Sequence, residues 1–182
     1  MIWTTDALGQ TTYMCQEWYA FTGQEPPAAL GGGWAKVIHP DEREMMEDAF
    51  LKACSLQSEF VLHYRLRRHD GTYVWVSDSA APSRLPGCGT FIGYLGMIRS
   101  LEPAQIGLIA RAELQKFRAA PAVGEFAPMS KLDVLADHLL MARATALGVA
   151  DELLPVIDSL LFDVGTRLVR GLQHGDASSN IH

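Results

Sequence analysis

The chain has 182 residues, of which 48% are hydrophobic and 20% are charged, and its formal net charge is −6. This length suits one ordinary domain, or a domain of ~100 residues with an extension, and the hydrophobic content excludes a wholly disordered chain. The apolar runs are shorter than the ~18 residues that a membrane span needs, and the first residues lack the basic and long apolar regions of a signal peptide. We therefore expect a soluble, cytoplasmic protein without a membrane span.

The acidic composition and the cysteine pattern exclude two further classes of protein. Contact with nucleic acid phosphates needs a concentrated basic face, and the one arginine cluster, Arg65, Arg67 and Arg68, is diluted by Glu59 and Asp70. The three cysteines are an odd number without CxxC spacing, which fits neither a disulfide framework nor a zinc cluster. We therefore predict no nucleic acid partner and no metal site.

The first hundred residues predict strands around short helices. Two short strands within 3–15 precede a helical turn that ends at Gly23. The proline and carboxylates after His39 are typical of a helix start, so the longest helix runs from about Asp41 to Leu56. Three longer strands follow over 60–67, 72–79 and 90–100, and Asp70-Gly71 supplies the tight hairpin turn between the first two.

The third long strand carries apolar residues on both faces. Alternation places Met97 on the same face as Phe91 and Leu95. The opposite face carries three residues that we predict to form an interface: Ile92, Tyr94 and Ile98. Both faces must therefore be covered, one by helices of the domain and the other by the rest of the chain or by a second copy.

After Pro103 the pattern becomes helical. Helices are predicted over about 104–119, 131–147 and 152–172, and the last one carries an apolar stripe that includes Leu160 and Val164. Because this stripe is too apolar to face water, we assign these two residues to the same interface. The predicted organisation is a domain over 1–101, a helical segment over 102–174 and a disordered tail over 175–182.

An ordered set of motifs in the first hundred residues resembles the PAS sensor family. The motifs are Gly33-Trp34, Ile38-His39-Pro40-Asp41-Glu42-Arg43, Tyr64-Arg65-Leu66-Arg67-Arg68, Asp70-Gly71, Tyr73-Val74-Trp75-Val76 and Gly93-Tyr94-Leu95-Gly96. They are similar to the PAS subgroup with the pattern HPDDR, then YRhRRxDGxYRWh, then a closing GxxG strand. The resemblance covers about residues 1–101. It implies an α+β fold with a five-stranded antiparallel sheet and helices over one face, followed here by an all-α extension.

The resemblance also implies a pocket between the sheet and its helices. The candidate pocket residues are apolar or aromatic side chains of the long helix and the strands: Met46, Phe50, Phe60, Tyr73, Trp75 and Met97. Such a wall suits a flat or apolar small molecule, and core packing is the alternative role for the same side chains. Haem-binding members carry a histidine within the long helix, and cysteinyl-flavin members carry an Asn-Cys-Arg-Phe motif. Neither feature is present, so we expect neither cofactor.

One histidine of the C-terminal segment raises an alternative function. The segment that begins at His138 is loosely similar to the histidine phosphotransfer signature, but Met141 stands where the signature has a lysine. Our main hypothesis is a non-catalytic PAS regulator, a homodimer that binds a small molecule or a signalling protein and passes its state to the C-terminal helices. The alternatives are a phosphotransfer relay through His138 and a structural dimerisation adaptor with an empty PAS core.

Overall fold

The computed structural model describes residues 1–86, 88–101, 109–117 and 130–175. The strands are, in chain order, Ile2–Thr5 (β1), Thr11–Met14 (β2), Phe60–Arg67 (β3), Tyr73–Arg84 (β4), Phe91–Ser100 (β5) and Arg111–Leu114 (β6). The α-helices are Gln16–Thr22 (α1), Pro26–Ala29 (α2), Pro40–Leu56 (α3), Lys131–Ala146 (α4) and Leu154–Gly175 (α5), with short 3-10 helices at Gly33–Val37 and Asp151–Leu153. None of these described helices combines the length and apolar character of a membrane span.

The six strands form one antiparallel sheet in the order β2-β1-β5-β4-β3-β6. The β3–β4 hairpin turns at the predicted place, where Gly71 has a φ of 88° and the Asp70 carboxylate accepts the Thr72 N–H at 2.8 Å. The positive φ favours glycine there, and the aspartate closes the turn. The predicted hairpin is therefore confirmed.

Strand β6 corrects two expectations from the sequence. The sheet has six strands rather than five, and the helix expected over 104–119 is wrong in its described part, because Arg111–Leu114 is a strand. Leu114 pairs with Phe60 of β3, and Arg111 pairs with His63. Alanine, glutamate and leucine in this segment favour a helix locally. The backbone N–H and C=O groups at the edge of β3 nevertheless pair with the backbone of this segment, which makes it a strand. The remainder of the expected helix lies outside the described residues, as does most of the expected tail.

Helix α3 begins as the sequence predicts and covers one face of the sheet, the inner face. His39 is the N-cap, Pro40 occupies the first turn, and Asp41 is one of two carboxylates near the positive end of the helix dipole. The helix buries Met46 and Phe50. Because the Phe50 ring contacts aromatic rings of β1, β3 and β5, it joins the helix to the inner face of the sheet.

Helices α4 and α5 cover the opposite face, the outer face. They pack against each other, and α4 contacts β1 while α5 contacts β2 and β4. Their buried side chains include Ala136 and Leu140 of α4 and Leu161, Val164 and Leu168 of α5. The second cover that the apolar residues of β5 require is therefore the rest of the same chain.

The inner and outer faces of strand β5 are the reverse of those that we predicted for Tyr94, Met97 and Ile98, although these residues alternate regularly. Tyr94 and Ile98 point to the inner face, so their predicted place on the outer face is wrong. Met97 follows the alternation to the outer face, whereas we expected it in the pocket wall. Only Ile92 lies on the outer face, near α5, because a β-bulge and the φ of 132° at Gly93 interrupt the alternation.

Candidate functional site

The inner face encloses a small cavity next to α3. Its wall is mostly aromatic and aliphatic, and it consists of Trp3, Thr5, Thr11, Met14, Trp18, Trp34, Phe50, Leu62, Tyr64, Asp78 and Ile98. The cavity volume is about 20 Å³, which is enough for about one water molecule. Small-molecule sites usually enclose ~300–1,000 Å³, so the inner side chains themselves fill most of this pocket.

Aromatic ring contacts explain why the cavity is small. The Phe60 ring is stacked with Trp3 at 6.1 Å between centroids, and it contacts Tyr94 edge-on at 5.4 Å. Phe50 contacts Trp34 edge-on at 5.5 Å. Offset and edge-to-face pairs of this kind stabilise a core beyond the area that they bury. These rings therefore form a continuous cluster between α3 and the sheet.

Asp78 on β4 is the one charged side chain among the described residues that line this cavity. Its carboxylate accepts hydrogen bonds from the Trp3 indole N–H at 2.8 Å and from the Tyr64 hydroxyl at 3.0 Å. Burial raises the pKa of Asp78 to about 7, because desolvation disfavours the charged form more than the two hydrogen bonds favour it. Near neutral pH the cavity therefore holds a carboxyl group that is only partly ionised.

Three of the predicted pocket residues belong to this inner core. Phe50 lines the cavity, while Met46 and Phe60 are fully buried beside it. Sequence reasoning missed Asp78, although a signal was present. Val76, Asp78 and Ala80 alternate on β4, which places a carboxylate among small apolar residues that point inward.

The other three predicted pocket residues do not line the cavity. Tyr73 is 39% exposed and its ring lies 4.6 Å from that of His39. Trp75 is half-buried beneath the Arg65 guanidinium, 5.6 Å from the ring centroid. Because Asp78 points inward, alternation turns Tyr73 and Trp75 away from the cavity, and Met97 is likewise on the outer face.

The two predicted interface residues of α5 have different surroundings. Val164 is 5% exposed and is buried within the same chain, whereas Leu160, one turn earlier, is 46% exposed. Leu153 and Val156 are also exposed and continue the line of Leu160 at helical spacing. We call these three exposed residues, Leu153, Val156 and Leu160, the α5 stripe.

Two arginines connect α4 to the sheet and to α5. Arg99 of β5, only 3% exposed, pairs with Asp137 of α4. Arg143 of α4 pairs with Glu59, just before β3, and with Asp158 of α5, where Nε lies 2.6 Å from Oδ1. Burial alone would lower the pKa of Arg143, but the hydrogen bond to Asp158 and the charge of Glu59 outweigh burial and raise it.

The remaining candidate groups are separate from one another. His138 is exposed on α4, and Met141 is exposed one turn later. Over the ranges that the structure describes, no three histidine, cysteine or carboxylate side chains are grouped so that they could hold a metal ion. The described residues therefore form an aromatic core on the inner face and buried ion pairs that connect α4 to the sheet and to α5.

The sheet, its helices and the aromatic cavity together define an α+β domain with a packed core on one face of an antiparallel sheet. Residues 11–95 match the family model described as PAS fold. The N-terminal part of the chain is therefore a PAS domain, as its motifs predicted.

Several known proteins are similar to this part of the chain. The uncharacterised protein y4lL of Sinorhizobium fredii is 38% identical over 97 residues, which are 53% of this chain and 12% of that protein. The N-terminal domain of a Marinobacter aquaeolei diguanylate cyclase with PAS/PAC sensor is 21% identical, with 54% of this chain and 92% of that chain covered and a TM-score of 0.48. The PAS-B domain of Drosophila melanogaster Cycle is 14% identical, with coverages of 55% and 98% and a TM-score of 0.44.

Proposed function

We propose that the chain is a non-catalytic signalling regulator in which the PAS domain passes its state to helices α4 and α5. The observation that carries this proposal is the direct packing of both helices on the outer face of the PAS sheet. Arg99 lies near the end of β5 and pairs with Asp137 of α4. This ion pair is a charged contact from the sheet to the helix.

The energies of these contacts support a switch with two discrete arrangements. Breaking a buried ion pair by removal of one partner costs ~3–5 kcal/mol. The ion pairs of Arg99 and Arg143 are therefore either formed or broken, without intermediate arrangements. Packed interfaces of this kind shift between alternative packings rather than deforming continuously. A movement of β3 or β5 would therefore change the position of α4 as a unit.

For the input to this regulator, the cavity favours protein docking over a ligand held in the core. A flat molecule would have to displace rings such as Phe50 and Trp34, because the free space is about 20 Å³. An apolar ligand that opens the pocket would meet the same rings and the Asp78 carboxyl group. Haem and cysteinyl flavin are not part of this proposal.

We also propose that the regulator is a homodimer that uses the α5 stripe. Three large apolar side chains in a line, Val156 and Leu160 on α5 and Leu153 at the end of the 3-10 helix before it, are unfavourable in water, and a two-fold axis beside α5 would bury them against their copies. A signalling protein with an apolar helix is the alternative occupant. The stripe borders the buried side of α5 but is itself exposed in the fold, so the dimer would form without changing the fold.

Amide hydrogen exchange on the full chain tests whether a change in the inner core alters the packing of α4 and α5. Phe50→Leu enlarges the inner cavity, and Leu51→Ala changes an exposed neighbour on the same helix as the control. We expect faster amide exchange in α4 and α5 for Phe50→Leu only, while β4 and β5 stay protected. Equal exchange of α4 and α5 in both variants would contradict the proposal.

A further inference from the structure

The buried carboxyl group of Asp78 lies beside the contact that holds α4. Between β4 and β5, Asp78 pairs with Ile98, and the next pair includes Arg99. On the outer face, Arg99 forms its ion pair with Asp137 of α4. Because Arg99 directly follows Ile98, the carboxyl group in the inner core and the ion pair that holds α4 are adjacent in the sheet.

Side chains from β1 and β3 hold the Asp78 carboxyl group in position. The Trp3 indole N–H donates to one of its oxygens and the Tyr64 hydroxyl donates to the other. Gly96 of β5 leaves room for the indole, because a Cβ at that position would overlap with the Trp3 ring. A change at this carboxyl group therefore acts on β1, β3 and β4 together.

Two titratable groups on neighbouring strands influence the ionisation of Asp78. On β3, burial raises the pKa of Tyr64 well above its ordinary value, so that its hydroxyl stays protonated. On β1, the charge of the Met1 amino group favours the ionised carboxylate. The other elements that line the cavity contribute only uncharged side chains within the described part of the chain. Desolvation outweighs the hydrogen bonds and the amino group, which gives Asp78 its pKa of about 7.

We propose that the inner core senses pH through Asp78 and that α4 responds to the change. The neutral carboxyl group is compatible with an apolar core, whereas the carboxylate is charged among aromatic rings with only two hydrogen bonds. Ionisation, with release of the proton to solvent, weakens the sheet beside Arg99 and loosens its contact with α4. A proton needs no free volume, so this input fits a cavity of about 20 Å³. The inference rests on the proposed function, because it names an input to the same transfer from the core to α4.

NMR of the full chain with isotope-labelled aspartate measures the titration of Asp78 directly, and Asp78→Asn assigns its carboxyl signal. We expect a midpoint at about pH 7, against ~3.9 for an ordinary aspartate. Tyr64→Phe removes one hydrogen bond from the carboxylate and keeps the ring, so it is expected to raise the midpoint by about one pH unit. A wild-type midpoint of about 4 would overturn the proposal. An unchanged midpoint in Tyr64→Phe would overturn it as well.

Amide hydrogen exchange of α4 at about pH 6 and at about pH 8, corrected for the intrinsic pH dependence of exchange, measures the response. Because the pKa of Asp78 is about 7 in the fold and ~3.9 in the unfolded chain, protection should be ~10-fold lower at the higher pH. We expect this fall in the wild type and in Asp48→Asn, which changes an exposed carboxylate of α3, and not in Asp78→Asn. Burial also raises the pKa of Asp133 on α4, but Asp133 is present in all three proteins, so the comparison isolates Asp78.

The Phe50→Leu variant separates this inference from the proposed function. An equal pH dependence of α4 protection in the wild type and in Asp78→Asn would overturn the pH input. If Phe50→Leu still increases exchange in α4 at constant pH, that result would refute the pH input alone. Unchanged exchange in Phe50→Leu would instead refute the transfer from the core to the helices.

Discussion

The aspartate variants of Val164 and Leu160 test the packing of α5 most directly. Val164 is 5% exposed and Leu160 is 46% exposed, although they are one turn apart on the same helix. Val164→Asp loses ~1.5–3 kcal/mol of valine burial and adds the cost of a buried polar group without a partner, ~2 kcal/mol or more. The free energy of unfolding should therefore fall by at least ~3.5 kcal/mol, a large part of the ~5–15 kcal/mol of a typical domain.

The matched variant, Leu160→Asp, separates folding from assembly. Its site is partly exposed, so the fold should lose no more than ~1 kcal/mol, while the α5 stripe acquires a charge. Thermal unfolding and light scattering after size-exclusion chromatography measure the two effects. At ~2–4 °C per kcal/mol for a chain of this size, Val164→Asp should lower the melting temperature by ~10 °C. An unchanged melting temperature in Val164→Asp would refute the packing, and an unchanged mass in Leu160→Asp would refute the dimer.

Three further predictions follow from the buried charges and the exposed histidine. Because the pKa of Asp78 is about 7 in the fold and ~3.9 in the unfolded chain, the folded state is favoured at low pH and loses stability as the pH rises from 4 to 7. Chemical denaturation at several pH values should show this loss in the wild type and not in Asp78→Asn. Arg143→Met should cost ~3–5 kcal/mol, against ~0.5 kcal/mol or less for the exposed Arg84→Met, and a similar loss in both would contradict the buried pair. Phosphorylated receiver domains should transfer phosphate neither to the wild type nor to His138→Ala. Acid-labile phosphate on the wild type that is absent from His138→Ala would instead favour the phosphotransfer relay.

The parts of the fold that were predictable from sequence depend on local signals. The hairpin at Asp70-Gly71 and the start of α3 after His39 each use side chains within a few residues of the backbone groups that they satisfy. Such contacts form between neighbours in the chain, so a motif of two to four residues contains the information. The PAS motifs combine several of these signals in a fixed order.

The parts that were not predictable depend on distant partners. Which face of β5 meets α3 depends on the packing of the whole sheet, so the alternation of Tyr94, Met97 and Ile98 alone could not assign their faces. Arg111–Leu114 is a strand only because β3 offers its edge, ~50 residues earlier in the chain. The buried side of α4 includes Asp137 and Arg143, because their ion-pair partners come from β5, from Glu59 and from α5, all distant in the sequence.

Strand β6 also determines which fragment of the chain can be studied alone. A PAS fragment that ends at Leu101 would open the edge of β3 over Phe60–His63, the four residues that pair with β6, and their backbone N–H and C=O groups would be free to pair with another molecule. In the described part of the chain these four residues pair instead with β6, a strand of four residues that carries Arg111 and Glu113, and a short charged strand resists such pairing. The segment after the PAS domain thus protects the sheet from aggregation, and a soluble fragment needs to extend at least through Leu114.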